Sequence, residues 1–433
     1  MHIYFSGIGG AGMAPLAVLA KDAGYDVSGS DIKKTQYFDY LEGKGITDLH
    51  VGQSDGQIAN ANIEKPIDWF VYSSALNTVQ NHPELEYCKA QGIRTSKRDE
   101  LLNQIIDDKK LKLIAIAGTH GKTTTTAMAI WALQQLGVKA SYLVGATLSF
   151  GDMGAYESGS QYFVYECDEF DHNFLHFNPF FSIISGVGYD HHEIYPTRED
   201  YNQAFRDFLG QSQRAILWQD DVSRLSLDET DEKFTIESEA NPAIGDIQLA
   251  GLYNRRDAWL VIKAISQITG ATVDEVKSAL DKFPGVSRRF EQIIPNLYSD
   301  DAHTPEKIIG CMSVTRETAA AGSQKIVVLY EPLTNRRMHY LGKAHHSVFE
   351  GADAIYWLPS YLAREDPTQK VLTPQELIKN LDPDLQTLAQ PAKKNEALRH
   401  IIQQHLDQGY LVVAMAGGGG DSLDEWLRKE FKN

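Results

Sequence analysis

The sequence has few cysteines, a shortage of basic residues and no long apolar run. Its three cysteines, Cys88, Cys167 and Cys311, have no metal-binding spacing, which indicates a reducing compartment rather than a disulfide scaffold. Lysine and arginine number 41 against 58 aspartates and glutamates, so the formal charge is −17 and no nucleic-acid partner is expected. No apolar stretch reaches about 18 residues and no signal-like segment opens the chain, so we expect no membrane insertion and a cytoplasmic location.

The chain has 433 residues, of which 42% are hydrophobic, and this predicts several buried cores. Short apolar strands alternate with helical patterns, which is typical of an α/β protein. We predict three domains. They are an N-terminal Rossmann-like domain at 1–108, a central P-loop ATPase-type domain with a mainly parallel sheet at 109–291, and a C-terminal Rossmann-like α/β domain at 292–433.

The stretch "IAIAGTHGKTTTTAM" at 114–128 is a phosphate-binding loop that lacks one glycine. The common pattern has a glycine, four free positions and then Gly-Lys-Ser/Thr, but here Ile116 takes the first position and Gly118 follows two residues later. A buried strand precedes the loop and an apolar helix follows it, so backbone N–H groups and the helix N-terminus can still bind phosphate. We predict a site for ATP and Mg²⁺, with Lys122 on phosphate oxygens and the Thr123 hydroxyl on the metal. The predicted ATP contacts in this stretch are Gly118, Thr119, His120, Gly121, Lys122, Thr123 and Thr124.

A second glycine loop, G-x-G-x-x-G at Gly7, Gly9 and Gly12, lies between a predicted strand and a predicted helix. Asp31 follows it by 19 residues, close to the spacing of a dinucleotide fingerprint. One interpretation is therefore an NAD-dependent oxidoreductase, and another is a close strand–helix crossing that needs only small residues. Two nucleotide loops in one chain favour an enzyme that binds ATP and a nucleotide-linked substrate. A regulatory or scaffold protein with a degenerate nucleotide site is a third alternative.

Carboxylates and histidines follow two later strands at the edge of the sheet where ligands bind in open α/β folds. "YECDEFDHNF" supplies the carboxylates, and "SGVGYDHHEIY" supplies Asp190, His191 and His192. Such oxygen ligands, with an imidazole, suit Mg²⁺ beside an ATP γ-phosphate. The catalytic candidates are Lys122, Glu166 and His191, and the metal candidates are Thr123, Glu166 and His191, with Asp168 and Glu169 secondary.

The stretch "AGTHGKTTTTAM" resembles the shorter phosphate loop of the Mur ligase family. Further stretches match that family in order along the whole chain: "YECDEFD", "YDHHEIY", "GLYNRRDA", "FPGVSRRFE" and "DDAHTPEKI". The resemblance implies an ATP-dependent ligase that phosphorylates a carboxylate and couples an amine to the acyl phosphate. "FSGIGGAGMAPLA" and "SGSD" are similar to the member that joins L-alanine to UDP-N-acetylmuramate in peptidoglycan synthesis. "EPLTN" (331–335) is nearer to the member that attaches a recycled murein peptide.

The resemblance also implies roles for particular residues. Further ATP contacts would be Asn254 on the adenine, Arg289 on the phosphates and Asp300 or Asp301 on the ribose. The UDP-sugar contacts would be Gly9, Gly10, Ala11, Gly12, Asp31, Ser73 and Ser74. His303 and Arg337 would bind the incoming amino acid.

Several positions depart from the family pattern. Gly186 and Gly188 replace polar residues before the Asp-His pair, and Asp257 replaces an asparagine. Leu333-Thr334 stands where a His-Arg pair binds the amino-acid carboxylate, which leaves the amine open between an amino acid and a short peptide. No lysine lies between His191 and Gly210, so no carbamylated lysine is expected. We expect a monomer or a homodimer.

Overall fold

The computed structural model describes residues 1–73, 76, 81–191, 194–362 and 368–432. It contains three mostly parallel sheets with intervening helices, which confirms the predicted α/β class. The chain forms two compact units, Met1–Ile247 with Asp257–Phe283 and Gln248–Arg256 with Pro284–Asn433. The first unit contains two sheets and the second contains one.

The first sheet has five parallel strands in the order β3-β2-β1-β4-β5. The strands are β1 (His2–Ser6), β2 (Asp26–Asp31), β3 (Leu49–Val51), β4 (Trp69–Tyr72) and β5 (Arg94–Lys97). The helices are α1 (Ala14–Asp22), α2 (Gln36–Gly43), α3 (Asp55–Glu64), α4 (Pro83–Ala90) and α5 (Arg98–Asp108). Gly24 follows α1 with φ +93°, the left-handed conformation that ends many helices. The first glycine loop connects β1, the central strand, to α1, as predicted.

The second sheet has seven strands in the order β12-β11-β10-β6-β9-β7-β8, and only the β7–β8 pair is antiparallel. The strands are β6 (Lys112–Ala117), β7 (Ala140–Leu143), β8 (Gly154–Ala155), β9 (Tyr162–Glu166), β10 (Phe181–Ile184), β11 (Ala215–Trp218) and β12 (Phe234–Glu237). The helices are α6 (Lys122–Gln135), α7 (Arg198–Gln211), α8 (Gln219–Leu225), α9 (Leu252–Thr269) and α10 (Val273–Leu280), with 3-10 turns at Phe170–His176 and Pro242–Asp246. β6 is apolar and buried from Leu113 to Ala117, as expected of a strand covered on both faces. Because β6 lies between β10 and β9, its carboxyl end has a strand on either side.

The third sheet, in the second unit, has the order β13-β14-β18-β15-β16-β17, with an antiparallel β13–β14 pair. The strands are β13 (Glu291–Ile294), β14 (Leu297–Asp300), β15 (Ile326–Glu331), β16 (Ala354–Trp357), β17 (Ala389–Pro391) and β18 (Leu411–Ala416). The helices are α11 (Pro305–Ala321), α12 (Asn335–Leu341), α13 (Pro374–Ile378), α14 (Pro383–Leu388), α15 (Glu396–Asp407) and α16 (Leu423–Phe431), with a 3-10 turn at Gly342–His345. Val328 and Tyr330 of β15 belong to one apolar cluster, and Val327 and Leu329 belong to another. The sheet is therefore covered on both faces, as its apolar strands require.

The three cysteines are buried free thiols. Among the described residues, none of the helices combines the length and the apolar character needed to cross a bilayer.

Candidate active site

The phosphate loop between β6 and α6 needs only two glycines. Gly118 and Gly121 have φ values of +144° and +79°, which side chains rarely tolerate. A side chain on Gly121 would also collide with the carboxylate of Asp257, and one on Gly118 would collide with Ser185. Ile116 lies inside β6 and is fully buried, so a glycine at that position has no turn to form. The shorter loop is therefore a complete strand-to-helix turn.

The carboxyl end of β10 holds this loop in place. The Thr119 N–H donates to Gly186 O at 2.8 Å, and the Ser185 hydroxyl donates to His120 O. The Gly188 N–H donates to the Thr119 hydroxyl at 2.8 Å. Both glycines that depart from the family pattern therefore bind the loop through their backbone.

Lys122, the first residue of α6, forms a buried ion pair. Its Nζ donates to Gly118 O at 2.7 Å and to Glu169 Oε2 at 2.6 Å, and lies 3.7 Å from Asp168 Oδ1. Burial lowers the pKa of Lys122, but Glu169 and Asp168 outweigh burial and raise it. Burial raises the pKa of Glu169, but Lys122 and a hydrogen bond from His191 bring it down to about 2. Both groups are therefore charged at neutral pH.

Thr123 and Glu166 lie next to each other, although 43 positions separate them in the chain. The Thr123 hydroxyl donates to Glu166 Oε1 at 2.8 Å, and Glu166 Oε2 accepts the Gly145 N–H at 3.1 Å. Glu166 ends β9, the neighbour of β6, and this adjacency brings its carboxylate to the start of α6. Thr124, in the same helical turn, is half-buried. A hydroxyl and a carboxylate oxygen at this separation are hard ligands that suit Mg²⁺.

His191 lies with Asp168 and Glu169 rather than with Glu166. One ligand atom from each of the three residues lies within 4.8 Å of the others, and His191 Nε2 is 3.5 Å from Glu169 Oε1. His191 has φ +56°, a strained conformation often found at functional sites. Burial lowers the pKa of His191, but Glu169 and Asp190 outweigh burial and raise it. The donor set fits a second divalent cation. His192, named in the sequence analysis, lies outside the described residues.

The first glycine loop, at the carboxyl end of β1, is bound to Asp31. The Gly9 N–H donates to Asp31 Oδ2 at 3.0 Å, and the Thr35 hydroxyl donates to Gly9 O at 2.9 Å. A Cβ on Gly9 would lie 2.6 Å from Thr35 Oγ1, so the loop requires glycine there. The Ser73 N–H donates to Ser6 O at 3.2 Å, at the end of the neighbouring strand.

The other candidates in this region differ in exposure. Gly10 and Gly12 are half-buried and Ala11 is exposed, and Ser74 lies outside the described residues.

The remaining ATP candidates lie in the second unit, where two of them form an ion pair. Arg289 Nη1 is 3.1 Å from Asp301 Oδ2. Asp300 Oδ2 accepts the Phe290 N–H at 2.7 Å, and burial raises the pKa of Asp300 to about 6. The Asn254 side chain donates to Ala250 O at 2.8 Å.

The two amino-acid candidates of the second unit are close enough to interact electrostatically. His303 Nδ1 is 2.6 Å from Asp301 O, and burial lowers the pKa of His303 to about 4, with Lys307 and Arg337 contributing. Arg337 Nη1 is buried and has no hydrogen-bond partner among the residues that the structure describes. Such a guanidinium nitrogen is available to a carboxylate.

Two family models match the chain. The model described as "Mur ligase family, catalytic domain" matches residues 2–110, and the one described as "Mur ligase middle domain" matches residues 116–258. UDP-N-acetylmuramate–L-alanine ligase of Renibacterium salmoninarum is 30% identical over 401 residues, which cover 84% of this chain and 83% of that protein. The chain belongs to the Mur ligase family.

Two further relatives of this Mur ligase match it over nearly its whole length. UDP-N-acetylmuramate–L-alanine ligase of Desulforamulus reducens is 29% identical, and the match covers 99% of this chain and 98% of that protein. The solved UDP-N-acetylmuramate–alanine ligase of Thermotoga maritima has a TM-score of 0.76 at 23% identity and covers 100% of this chain and 98% of its own. The likeness to the solved structure is one of fold.

The sequence did not identify all the residues that build the site of this Mur ligase. Tyr201 contacts both Thr119 and Glu169, with its hydroxyl 2.7 Å from Thr119 Oγ1 and 3.3 Å from Glu169 Oε1. It lies on α7, within no motif, so no sequence signal marks it. Glu169 was predicted only as a secondary metal ligand, but it is also the partner of Lys122.

Proposed function

We propose that the chain is an ATP-dependent ligase that forms an amide between the lactyl carboxylate of UDP-N-acetylmuramate and L-alanine, a step of peptidoglycan synthesis. Two relatives matched over most of their length carry the name of this reaction. The observation that carries the proposal is a pair of contacts at the start of α6. Lys122 contacts Glu169, and Thr123 contacts Glu166, which ends the neighbouring strand β9 three residues before Glu169. We propose a cytoplasmic location, because the substrates would be a nucleotide sugar and ATP.

The reaction has two chemical steps. The substrate carboxylate attacks the γ-phosphorus of ATP, the bond to the β-phosphate oxygen breaks, and an acyl phosphate and ADP form. The amine then attacks the acyl carbon, loses a proton, and expels phosphate to leave the amide. Both steps need neutralisation of phosphate charge and alignment of the reacting atoms more than covalent help from the protein.

The residues of the first unit would divide this work. Lys122 would neutralise charge on the β- and γ-phosphates, and the first-turn N–H groups of α6 would donate to the same oxygens. Thr123 and Glu166 would hold Mg²⁺, and Asp168, Glu169 and His191 would hold a second ion. When bound, these ions would neutralise charge on the transferring phosphoryl group.

We propose three domains, with the boundaries 1–108, 109–291 and 292–433, and we assign the substrate sites to them. The glycine loop with Asp31 and Ser73 would bind the UDP-sugar. Asn254, Arg289 and one of Asp300 and Asp301 would complete the ATP site. His303 and Arg337 would hold the amine substrate.

A phosphate-release screen tests the proposal. The chain is mixed with ATP, Mg²⁺ and UDP-N-acetylmuramate, and single amino acids and murein peptides are added in turn. We expect release with L-alanine that depends on both substrates, and a new amide product by mass spectrometry. Release only with a murein peptide would make the chain a murein-peptide ligase, and tight NADH binding without any release would support the oxidoreductase alternative.

A further inference from the structure

Tyr201, on α7, is a buried polar residue that has no role in the proposed reaction. Its side chain is fully buried, and its ring packs against Tyr195 and Phe205, with ring centroids 5.0 and 5.1 Å away. A phenol in such surroundings needs hydrogen-bond partners, because an unpaired buried hydroxyl is costly. The Tyr201 hydroxyl contacts Thr119 and Glu169, which both belong to the phosphate-loop site.

The hydrogen bonds around this hydroxyl have a fixed direction. An ionised carboxylate only accepts, so the Tyr201 O–H donates to Glu169 Oε1 at 3.3 Å. The Tyr201 oxygen is then left to accept the hydroxyl hydrogen of Thr119, whose oxygen is 2.7 Å away. The Thr119 oxygen in turn accepts the Gly188 N–H at 2.8 Å. The result is a chain of hydrogen bonds that runs from Gly188 through the two hydroxyls to Glu169.

The protonation states of the two ends of the Tyr201–Glu169 contact agree with this direction. Burial raises the pKa of Tyr201, and the negative charge of Glu169 raises it further, so the phenol keeps its proton. Burial also raises the pKa of Glu169, but Lys122 and a hydrogen bond from His191 hold it at about 2. The contact therefore joins a permanent donor to a permanent acceptor.

The Tyr201 hydroxyl separates the roles of the two carboxylate oxygens of Glu169. Oε1 accepts the Tyr201 hydroxyl and lies 3.5 Å from His191 Nε2, whereas Oε2 accepts Lys122 Nζ at 2.6 Å. Thr119 is part of the phosphate loop, and Lys122 is the first residue of α6. The Tyr201 hydroxyl therefore holds the loop directly and holds the lysine through Glu169.

We propose that Tyr201 is a positioning residue for phosphoryl transfer, which fixes the phosphate loop and the Lys122 ammonium group relative to each other before ATP binds. This inference rests on the proposed function, which supplies the reaction. Because Tyr201 is fully buried, it acts through Thr119 and Glu169 rather than by touching the nucleotide. Displacement of a catalytic group by about 1 Å can lower a rate about 100-fold.

Tyr201→Phe tests the proposal, because it removes one oxygen atom and keeps the ring that packs on α7. We expect kcat for phosphate release to fall about 10- to 100-fold, with little change in the KM for UDP-N-acetylmuramate. Calorimetric titration with a non-hydrolysable ATP analogue in the absence of Mg²⁺ measures the effect apart from turnover. We expect the affinity for the analogue to fall about threefold to tenfold, the range for one lost hydrogen bond.

Tyr162→Phe is the matched control. Tyr162 opens β9 in the same unit, is 9% exposed, and donates its hydroxyl to Ile268 O at 3.3 Å. It pairs with Lys112 at the start of β6, the end of the strand away from the loop. This variant also loses one buried hydroxyl, but it should match the wild type in kcat and in affinity for the analogue.

A double-mutant cycle tests the route through Glu169. In the Glu169→Gln background, Tyr201→Phe should lose most of its effect on the affinity for the analogue, and an undiminished effect would overturn this route. Thermal denaturation separates stability from positioning. A less stable Tyr201→Phe protein with wild-type kcat and analogue affinity would make Tyr201 purely structural and overturn the proposal. Failure of the wild type to bind the analogue or release phosphate would instead overturn the proposed function.

Discussion

Lys122 Nζ lies 2.6 Å from Glu169 Oε2, and the glutamate side chain is fully buried. The lysine that would meet the ATP phosphates is therefore already paired with a carboxylate of the protein. Incoming phosphate oxygens would share this lysine with Glu169, and the pair fixes the position of the ammonium group before ATP binds. The same pair couples the proposed catalytic role of Lys122 to the stability of the first unit.

We expect Lys122→Ala to abolish phosphate release and also to destabilise the protein. Removing one partner of a buried pair leaves an uncompensated charge, which costs about 3 kcal/mol or more. Urea denaturation and the phosphate assay measure the two effects. The double variant Lys122→Ala/Glu169→Gln should recover much of the stability but none of the activity. An active Lys122→Ala protein would show that the loop does not bind ATP as proposed.

We expect Glu166→Ala to raise the Mg²⁺ concentration needed for half-maximal phosphate release by about tenfold or more. Its carboxylate is the oxygen partner of the Thr123 hydroxyl, so its loss removes one of two proposed ligands. Titration of phosphate release with MgCl₂ measures the effect. Glu157→Ala removes a surface carboxylate that is 46% exposed and serves as the control. Superimposable Mg²⁺ curves for the two variants would exclude Glu166 as a ligand.

The sequence predicted the strands and the phosphate loop but not the contacts that complete the site. Continuous apolar stretches such as "LIAIA" identify buried strands, and glycines followed by an apolar helical stretch identify the loop. The order of the strands is not encoded in any motif. Glu166 and Glu169 face Lys122 and Thr123 because β9 pairs with β6, whereas Ser185 and Gly186 reach the loop from β10 on the other side. These contacts span 43 to 67 residues of chain and follow only from the assembled sheet.

The stability of the second unit should depend on Glu291 in a pH-dependent way. This carboxylate accepts bonds from Arg428 at 2.7 and 3.0 Å and from the Arg288 N–H at 2.8 Å. Burial raises the pKa of Glu291, but Arg428 and the Arg288 N–H hold it at about 2. Because this pKa lies below the ordinary glutamate value, the stabilisation is complete above about pH 5 and is lost as the pH falls toward 2.

The corresponding variant is Glu291→Gln. We expect it to lower the free energy of unfolding by about 2 kcal/mol at pH 7, and the difference from wild type to shrink as the pH falls below 5. Urea denaturation at a series of pH values measures this. Glu350→Gln, at an exposed turn of the second unit, should match the wild type throughout. A deficit for Glu291→Gln that stays constant from pH 7 to pH 3 would exclude the ionised carboxylate as its cause.

The shortened phosphate loop depends on the absence of a side chain at Gly121, and a second glycine in the same helix region provides a matched comparison. Gly121 and Gly137 have similar left-handed φ values, +79° and +68°, so alanine at either site meets a similar backbone penalty of about 1–2 kcal/mol. They differ in their surroundings, since a Cβ on Gly121 would collide with Asp257, whereas nothing lies within 4 Å of one on Gly137.

We expect Gly121→Ala to lower the affinity for an ATP analogue by about tenfold or more, because the loop must shift away from Asp257. Gly137→Ala should lose stability but keep its ATP affinity. Calorimetric titration compares the two, and equal affinities would mean that the position of the loop at Gly121 does not determine nucleotide binding.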